Sequence, residues 1–152
     1  MRLKSISIGR RLLAMIFGLV VLAGCAVTLI SSYDETTDKG VTSLQKSVDE
    51  LMNKLDQDAF PAYKTVKKDY DKIRSDFNSI YFRNEARPNN ALTLKQLDEL
   101  KAQLVQVEKM HKDKMLNRAM VGQIRNTLNQ TFRAILTLEL KKKELNEGTA
   151  SK

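Results

Sequence analysis

The sequence predicts an all-α protein, an N-terminal apolar helix followed by a long antiparallel helical hairpin or a three-helix bundle. Three observations lead there. Residues 12–30, LLAMIFGLVVLAGCAVTLI, hold no charge over nineteen positions and follow the basic segment MRLKSISIGRR. From residue 41 onward, apolar side chains recur at alternating steps of three and four, the period of one helix face. No stretch alternates apolar and polar residues in the manner of a half-buried strand.

The apolar run comes first. At ~1.5 Å per residue, a helix over 12–30 reaches roughly 28 Å, close to the ~30 Å hydrocarbon core of a bilayer. Lysine and arginine are retained on the cytoplasmic side, so Arg2, Lys4, Arg10 and Arg11 set residues 1–11 there as a basic N-terminus. Asp34, Glu35 and Asp38 then emerge opposite, and the remaining chain faces outward. A second reading uses the same residues. Leu22-Ala23-Gly24-Cys25 has the small-residue pattern that lipoprotein signal peptidase cuts, which makes residues 1–24 a signal peptide and Cys25 a lipidation site. The apolar residues 26–30 favour the uncut anchor, because a lipoprotein ordinarily begins with a polar tether and a spanning helix needs the length.

Residues 31–40, SSYDETTDKG, are polar and read either as a short juxtamembrane linker or as a solvated first helical turn, with Gly40 the weakest point for a helix. Residues 41–146 form the helical domain. Val41, Leu44, Val48, Leu51 and Leu55 make the first seam, with Thr42 or Ser43 to cap it. Two steps of four, through Ala59 and Tyr63, carry the register to Val66, Tyr70, Ile73, Phe77 and Ile80, so the seam reads as one long helix kinked at Pro61, with a true break there as the alternative. At NEARPNN, residues 84–90, periodicity stops and Pro88 with two asparagines supplies a turn. Thr93 and Gln96 fit a capping box ahead of Leu97, Leu100, Leu104 and Val107. Residues 108–118 are apolar-poor and read either as exposed helix or as a connection. Val121, Ile124, Leu128, Phe132, Ile135 and then Leu138 or Glu139 restore the stripe, and Lys141 to Lys143 favour a helix C-terminus. Residues 147–152 read as a flexible tail.

A two-helix hairpin buries little surface, so pairing of two copies into a four-helix bundle is the expected assembly, a homodimer. Cys25 is the sole cysteine, which leaves the fold to packing rather than disulfides. Net charge is +8, but residues 1–30 hold four basic and no acidic residues, leaving 22 basic against 18 acidic in the remainder. Those charges mix along helical faces without interleaved aromatics, so nucleic acid is not an expected partner.

The chain offers no nucleophile with a base and orienting group, no Gly-rich phosphate loop and no cluster of metal ligands, so neither enzyme activity nor a cofactor is expected. His111, the only histidine, reads as exposed or interfacial. Met52, Met110, Met115 and Met120 offer an adaptable surface or plain core.

The segment ISIGRRLLAMIFGLVVLAG resembles the first membrane span of bacterial methyl-accepting chemotaxis receptors, and AFPAYKTVKKDYDKIRSDFNSIYFRNEA resembles the proline-containing first helix of their periplasmic sensor domain. The likeness covers residues 5–110. It implies a dimeric, inner-membrane, periplasm-facing bundle that binds small molecules or partner proteins and whose helices move relative to one another. Within these 152 residues there is no second apolar span and no signalling coiled coil, so a truncated receptor or an accessory protein is expected. No short motif carries the family's ligand-contacting arginines across. Arg74, Arg83 and Arg87 are candidates by position, expected near the turn farthest from the membrane, where guanidinium groups pair with a carboxylate or other small anionic ligand. The competing function is that of a lipoprotein serving as a structural or adaptor bundle in an envelope complex.

Overall fold

The computed structural model describes residues 30–150. Four helices follow one another, α1 (Glu35–Leu55), α2 (Tyr63–Glu85), α3 (Ala91–Lys112) and α4 (Arg118–Ala150), and there is no strand among the described residues. Short connections force each helix to run antiparallel to its predecessor. Each helix packs on its chain neighbours and α4 closes the ring on α1. The all-α expectation holds, but the chain builds a four-helix bundle by itself, in place of a hairpin or three helices. The argument for a second copy, that two helices bury too little, does not apply to a chain that supplies four.

The seams are the predicted ones. Val41, Leu44, Val48, Leu51 and Leu55 are buried on α1, Val66, Tyr70, Ile73, Phe77 and Ile80 on α2, and Leu97, Leu100 and Val107 on α3. Val121, Leu128, Phe132 and Ile135 complete the core from α4. Burying such aliphatic and aromatic side chains stabilises by about 1.5–3 kcal/mol each, an upper estimate.

Two local expectations are corrected and one alternative is selected. The stretch around Pro61 is a reversal, not a kink: α1 stops at Leu55, where the Asp56 amide caps on the Met52 carbonyl. Proline lacks an N–H and pushes the preceding residue out of helical geometry, so α2 restarts at Tyr63 and its stripe lies against that of α1. The residues in register across Pro61 form two seams that face each other. Next, residues 31–40 divide in favour of the first-turn reading: α1 begins at Glu35, because Asp34 caps it through the Thr36 amide and Glu35 and Asp38 favour the positive end of the helix, and only 31–34 precede it. Gly40 sits within α1, where a Cβ would stand 3.0 Å from Ile80, so it permits close approach of α2. Finally, Thr93 is no cap. Helix α3 starts at Ala91, two residues before it, and Thr93 is fully buried.

The turn at 86–90 is as expected, with Asn89 at a positive φ of 56°. Residues 108–118 divide between both readings, the end of α3 and a connection over 113–117. Helix α4 runs through most of the segment read as tail, to Ala150.

The bundle has two distinct ends. The Ser31 amide donates to the Asn89 carbonyl at 2.9 Å, and the Lys142 ammonium donates to Asn90 at 3.2 Å. The point where the chain enters, the α2–α3 connection and the last third of α4 therefore share one end, called proximal below. Residues 56–62 and 113–117 form the distal end, where Arg118 pairs with Asp58. Beyond Lys142, α4 extends roughly 12 Å at ~1.5 Å per residue. The span over 12–29, its alternative cleavage and Cys25 lie outside the described residues.

Candidate functional site

Helices α2 and α3 form the loosest of the four interfaces, and a cavity of about 110 Å³ opens between them. Its floor is apolar, with Leu51 and Met52 from α1, Ile73 and Phe77 from α2, and Leu104 and Val107 from α3. Arg74, Asn78, Lys101 and Val105 stand at its mouth, and Val105 is 58% exposed.

The charges at this mouth differ in what they already bind. Arg74 donates to both oxygens of Glu108, at 3.2 and 3.0 Å, and pairs with Asp71 on its own helix. Glu108 also accepts from the Tyr63 hydroxyl at 2.8 Å and from Lys112 at 2.8 Å. Burial alone would raise the Glu108 pKa, but those hydrogen bonds and the Arg74 charge outweigh it and leave the carboxyl below its ordinary range. Lys101 differs. Its ammonium lies 5.0 Å from the Tyr81 ring centre and no carboxylate among the described residues pairs with it.

On the distal side of this cleft, His111 is buried at 4% exposure, which corrects the exposed or interfacial reading. Its Nε2 lies 2.9 Å from the Pro61 carbonyl, which can only accept, so Nε2 carries the proton. Nδ1 then accepts from the Tyr70 hydroxyl at 3.1 Å. Phe60, Tyr63 and Tyr70 pack edge-on around the ring, with centroids 5.3 to 5.8 Å away. Burial pushes the Tyr70 hydroxyl pKa well above its usual value. His111 thus fastens the Pro61 connection to α3, a structural role that needs no ligand.

The three arginines do not converge. Arg74 stays at the cleft, whereas Arg83 and Arg87 lie at the proximal end beside the chain's entrance, opposite to the expected distal tip. Arg83 donates to both oxygens of Asp34, at 2.6 and 2.9 Å, and Arg87 donates to the Ser32 carbonyl at 2.6 Å. The Arg83 hydrogen bond, assisted by Thr37 and the charge of Arg87 and opposed by burial, holds the Asp34 carboxyl far below the usual carboxylate range.

From Asp34 a polar network runs through the proximal core. The Thr37 hydroxyl donates to Asp34 at 2.7 Å and accepts from the Asn84 amide at 2.9 Å. The Asn90 amide donates to the Asn84 side-chain oxygen at 2.8 Å, and Asn90 accepts from the Ser31 hydroxyl at 2.7 Å and from Lys142. Lys142 reaches Thr93 at 2.7 Å and Glu139 at 2.6 Å, and both members of that ion pair are almost wholly buried. One Glu139 oxygen, Oε2, has no hydrogen-bond partner. Sequence reasoning left Leu138 or Glu139 at that seam position, and the structure buries Glu139.

Of the methionines, Met52 is core, Met115 is exposed, and Met110 and Met120 line a second, more open groove of about 280 Å³ between α3 and α4. No group of potential metal ligands converges among the described residues, and no helix among them is long and apolar enough to cross a membrane. Lys101, Asn78 and Val105 carried no signal in the sequence, since each occupies an ordinary surface position of an amphipathic helix. No family model, curated protein or solved structure matches this chain.

Proposed function

We propose that this chain is a membrane-anchored sensor, a four-helix bundle held at the outer face of a bacterial inner membrane by residues 12–30, with the N-terminus cytoplasmic. The observation that carries the reading is the mainly apolar cavity in the loosest interface, between α2 and α3, where the polar groups are few: Tyr70 and Glu108, both engaged with neighbours, and Arg74, Asn78 and Lys101 at the mouth. Small-molecule sites have this character, an apolar body with few polar groups to orient the ligand. A ligand wedged between α2 and α3 strains the connection that joins them. That connection holds Ser31 through Asn89 and Asn90, next to the proposed span. Occupancy and anchor are thereby coupled without a second copy of the chain.

The test uses the full chain in lipid nanodiscs and follows thermal unfolding against amino acids, monocarboxylates, dicarboxylates and short alcohols. A ligand that binds only the folded state raises the melting temperature. The expected shift disappears in Val105→Trp, which plugs the mouth at an exposed position; no shift across the panel removes the sensor reading. The Leu22-Ala23-Gly24-Cys25 pattern favours a second reading, a lipoprotein adaptor. Labelled palmitate incorporated into the protein and lost in Cys25→Ala would select it; a full-length protein that stays membrane-bound in Cys25→Ala selects the uncut anchor.

A further inference from the structure

We propose that the α2–α3 cleft takes small monocarboxylates bearing a branched aliphatic group, with the carboxylate at Lys101 and Asn78 and the branch in the cavity. This rests on the reading of the cleft as the ligand site and names the chemistry of its ligand.

The cavity sets the size and polarity of the buried part. A dry cavity of ~150 Å³ lined by Leu, Ile and Phe accommodates a benzene ring, whereas this one offers about 110 Å³. A branched aliphatic group of a few carbons fits, and a ring enters only in part. Leu51, Met52, Ile73, Phe77, Leu104 and Val107 supply no hydrogen-bonding side chain beyond the weak thioether, and the one buried hydroxyl in the lining, that of Tyr70, is already taken by His111. A charge placed there is desolvated without compensation, so the charged head stays at the mouth.

The mouth sets the sign of that head. A cation finds no free carboxylate in the lining, because Glu108, the one carboxylate there, already serves Arg74, Tyr63 and Lys112. Asp98, the other carboxylate at this level, accepts from the Tyr81 hydroxyl at 2.9 Å. An anion finds the Lys101 ammonium, held over the Tyr81 ring with no counter-ion among the described residues. Asn78, one turn before Tyr81 on α2, lines the same mouth and has no hydrogen-bond partner for its amide among the described residues, so it supplies an N–H donor. Val105 provides an apolar lip beside Lys101.

The same geometry ranks related ligands. A second carboxylate would fall on the apolar floor or against Glu108, which disfavours dicarboxylates. The ammonium of an amino acid would sit beside Lys101 with only the Asn78 oxygen to receive it, which disfavours α-amino acids.

The experiment is a methyl NMR titration of the full chain in nanodiscs with isovalerate, isoamyl alcohol, isoamylamine and acetate. Isovalerate is expected to shift the methyl resonances of Ile73, Leu104 and Val105 saturably. The alcohol should bind about tenfold more weakly, the value of one charge-assisted hydrogen bond, and the amine and acetate more weakly still. Lys101→Gln, at an exposed position, should bring isovalerate down to the level of the alcohol, and Val105→Trp should abolish both. Alcohol or amine binding as tightly as isovalerate, or an unchanged Lys101→Gln, overturns the carboxylate assignment and leaves the cleft as a site. If no probe moves the cleft methyls while another compound of the thermal panel does, the ligand class is again wrong. If no compound moves them, the cleft reading itself falls.

Discussion

The same two helices, α2 and α3, meet in opposite ways at two levels. At the proximal end Asn84, Asn90 and Thr93 belong to a hydrogen-bonded network that reaches Ser31, Asp34, Glu139 and Lys142. A few turns away the helices part around an apolar floor. Buried polar networks are demanding, because removing one member leaves another desolvated and unpaired. Apolar contacts are forgiving, because a gap loses only dispersion and transfer energy. The bundle thus has a fixed end, which sets how the helices are aligned, and a slack level, which leaves room for something else.

The strongest way to break this contrast is at the buried ion pair. Lys142→Met strands Glu139 inside the proximal core and should cost roughly 3–5 kcal/mol in denaturant unfolding. The double change Glu139→Leu with Lys142→Met should restore most of that loss, or exceed the parent by about 1 kcal/mol or more. A single variant as stable as the parent would mean that the proximal end is not the rigid one.

Next in size is His111→Ala on the distal side, which unpairs the Pro61 carbonyl and the Tyr70 hydroxyl and leaves a cavity among the rings. Destabilisation of roughly 2–4 kcal/mol is expected by thermal or chemical unfolding.

A smaller effect sharpens the proximal side. Asp34 titrates well below its ordinary value in the fold, against about 3.9 in the unfolded chain. As pH falls below about 4 the unfolded state takes up a proton that the fold refuses, so stability falls with pH there and is flat above about pH 5. Glu108 acts with the same sign. Asp34→Asn should cost about 1–2 kcal/mol at neutral pH and reduce the acid slope, read from unfolding midpoints between neutral and acidic buffers. The smallest expected change is Lys101→Gln at the cleft mouth, within about 0.5 kcal/mol of the parent in the absence of ligand.

Much of the fold is legible in the sequence, and the exceptions have physical reasons. The stripes at 41–55, 66–80, 97–107 and 121–135 identify the core faces because burial demands the helical period. Period states which face is apolar and not whether the chain reverses, so a seam in register across Pro61 fits one helix or two antiparallel ones. Thr93, His111 and Lys142 are polar residues buried by partners distant in sequence, and local pattern assigns such residues to caps or surface. One long helix would carry residue 83 far from residue 31, whereas two antiparallel helices bring Arg83 and Arg87 back beside Asp34 and Ser32. The cleft is a shortage of atoms between helices, and no residue encodes a gap.

At the distal connection Lys114 has φ 58°, in the left-handed region where glycine is the usual occupant after a helix. A side chain there costs about 1 kcal/mol, with its backbone held by the His111 carbonyl. The position is therefore a reserve for engineering: Lys114→Gly relieves the strain at a site remote from the cleft mouth and the proximal network. Proteins settle just above the stability they need rather than at the maximum, so a gain of this size is open to a single change that touches neither the cleft nor the buried network.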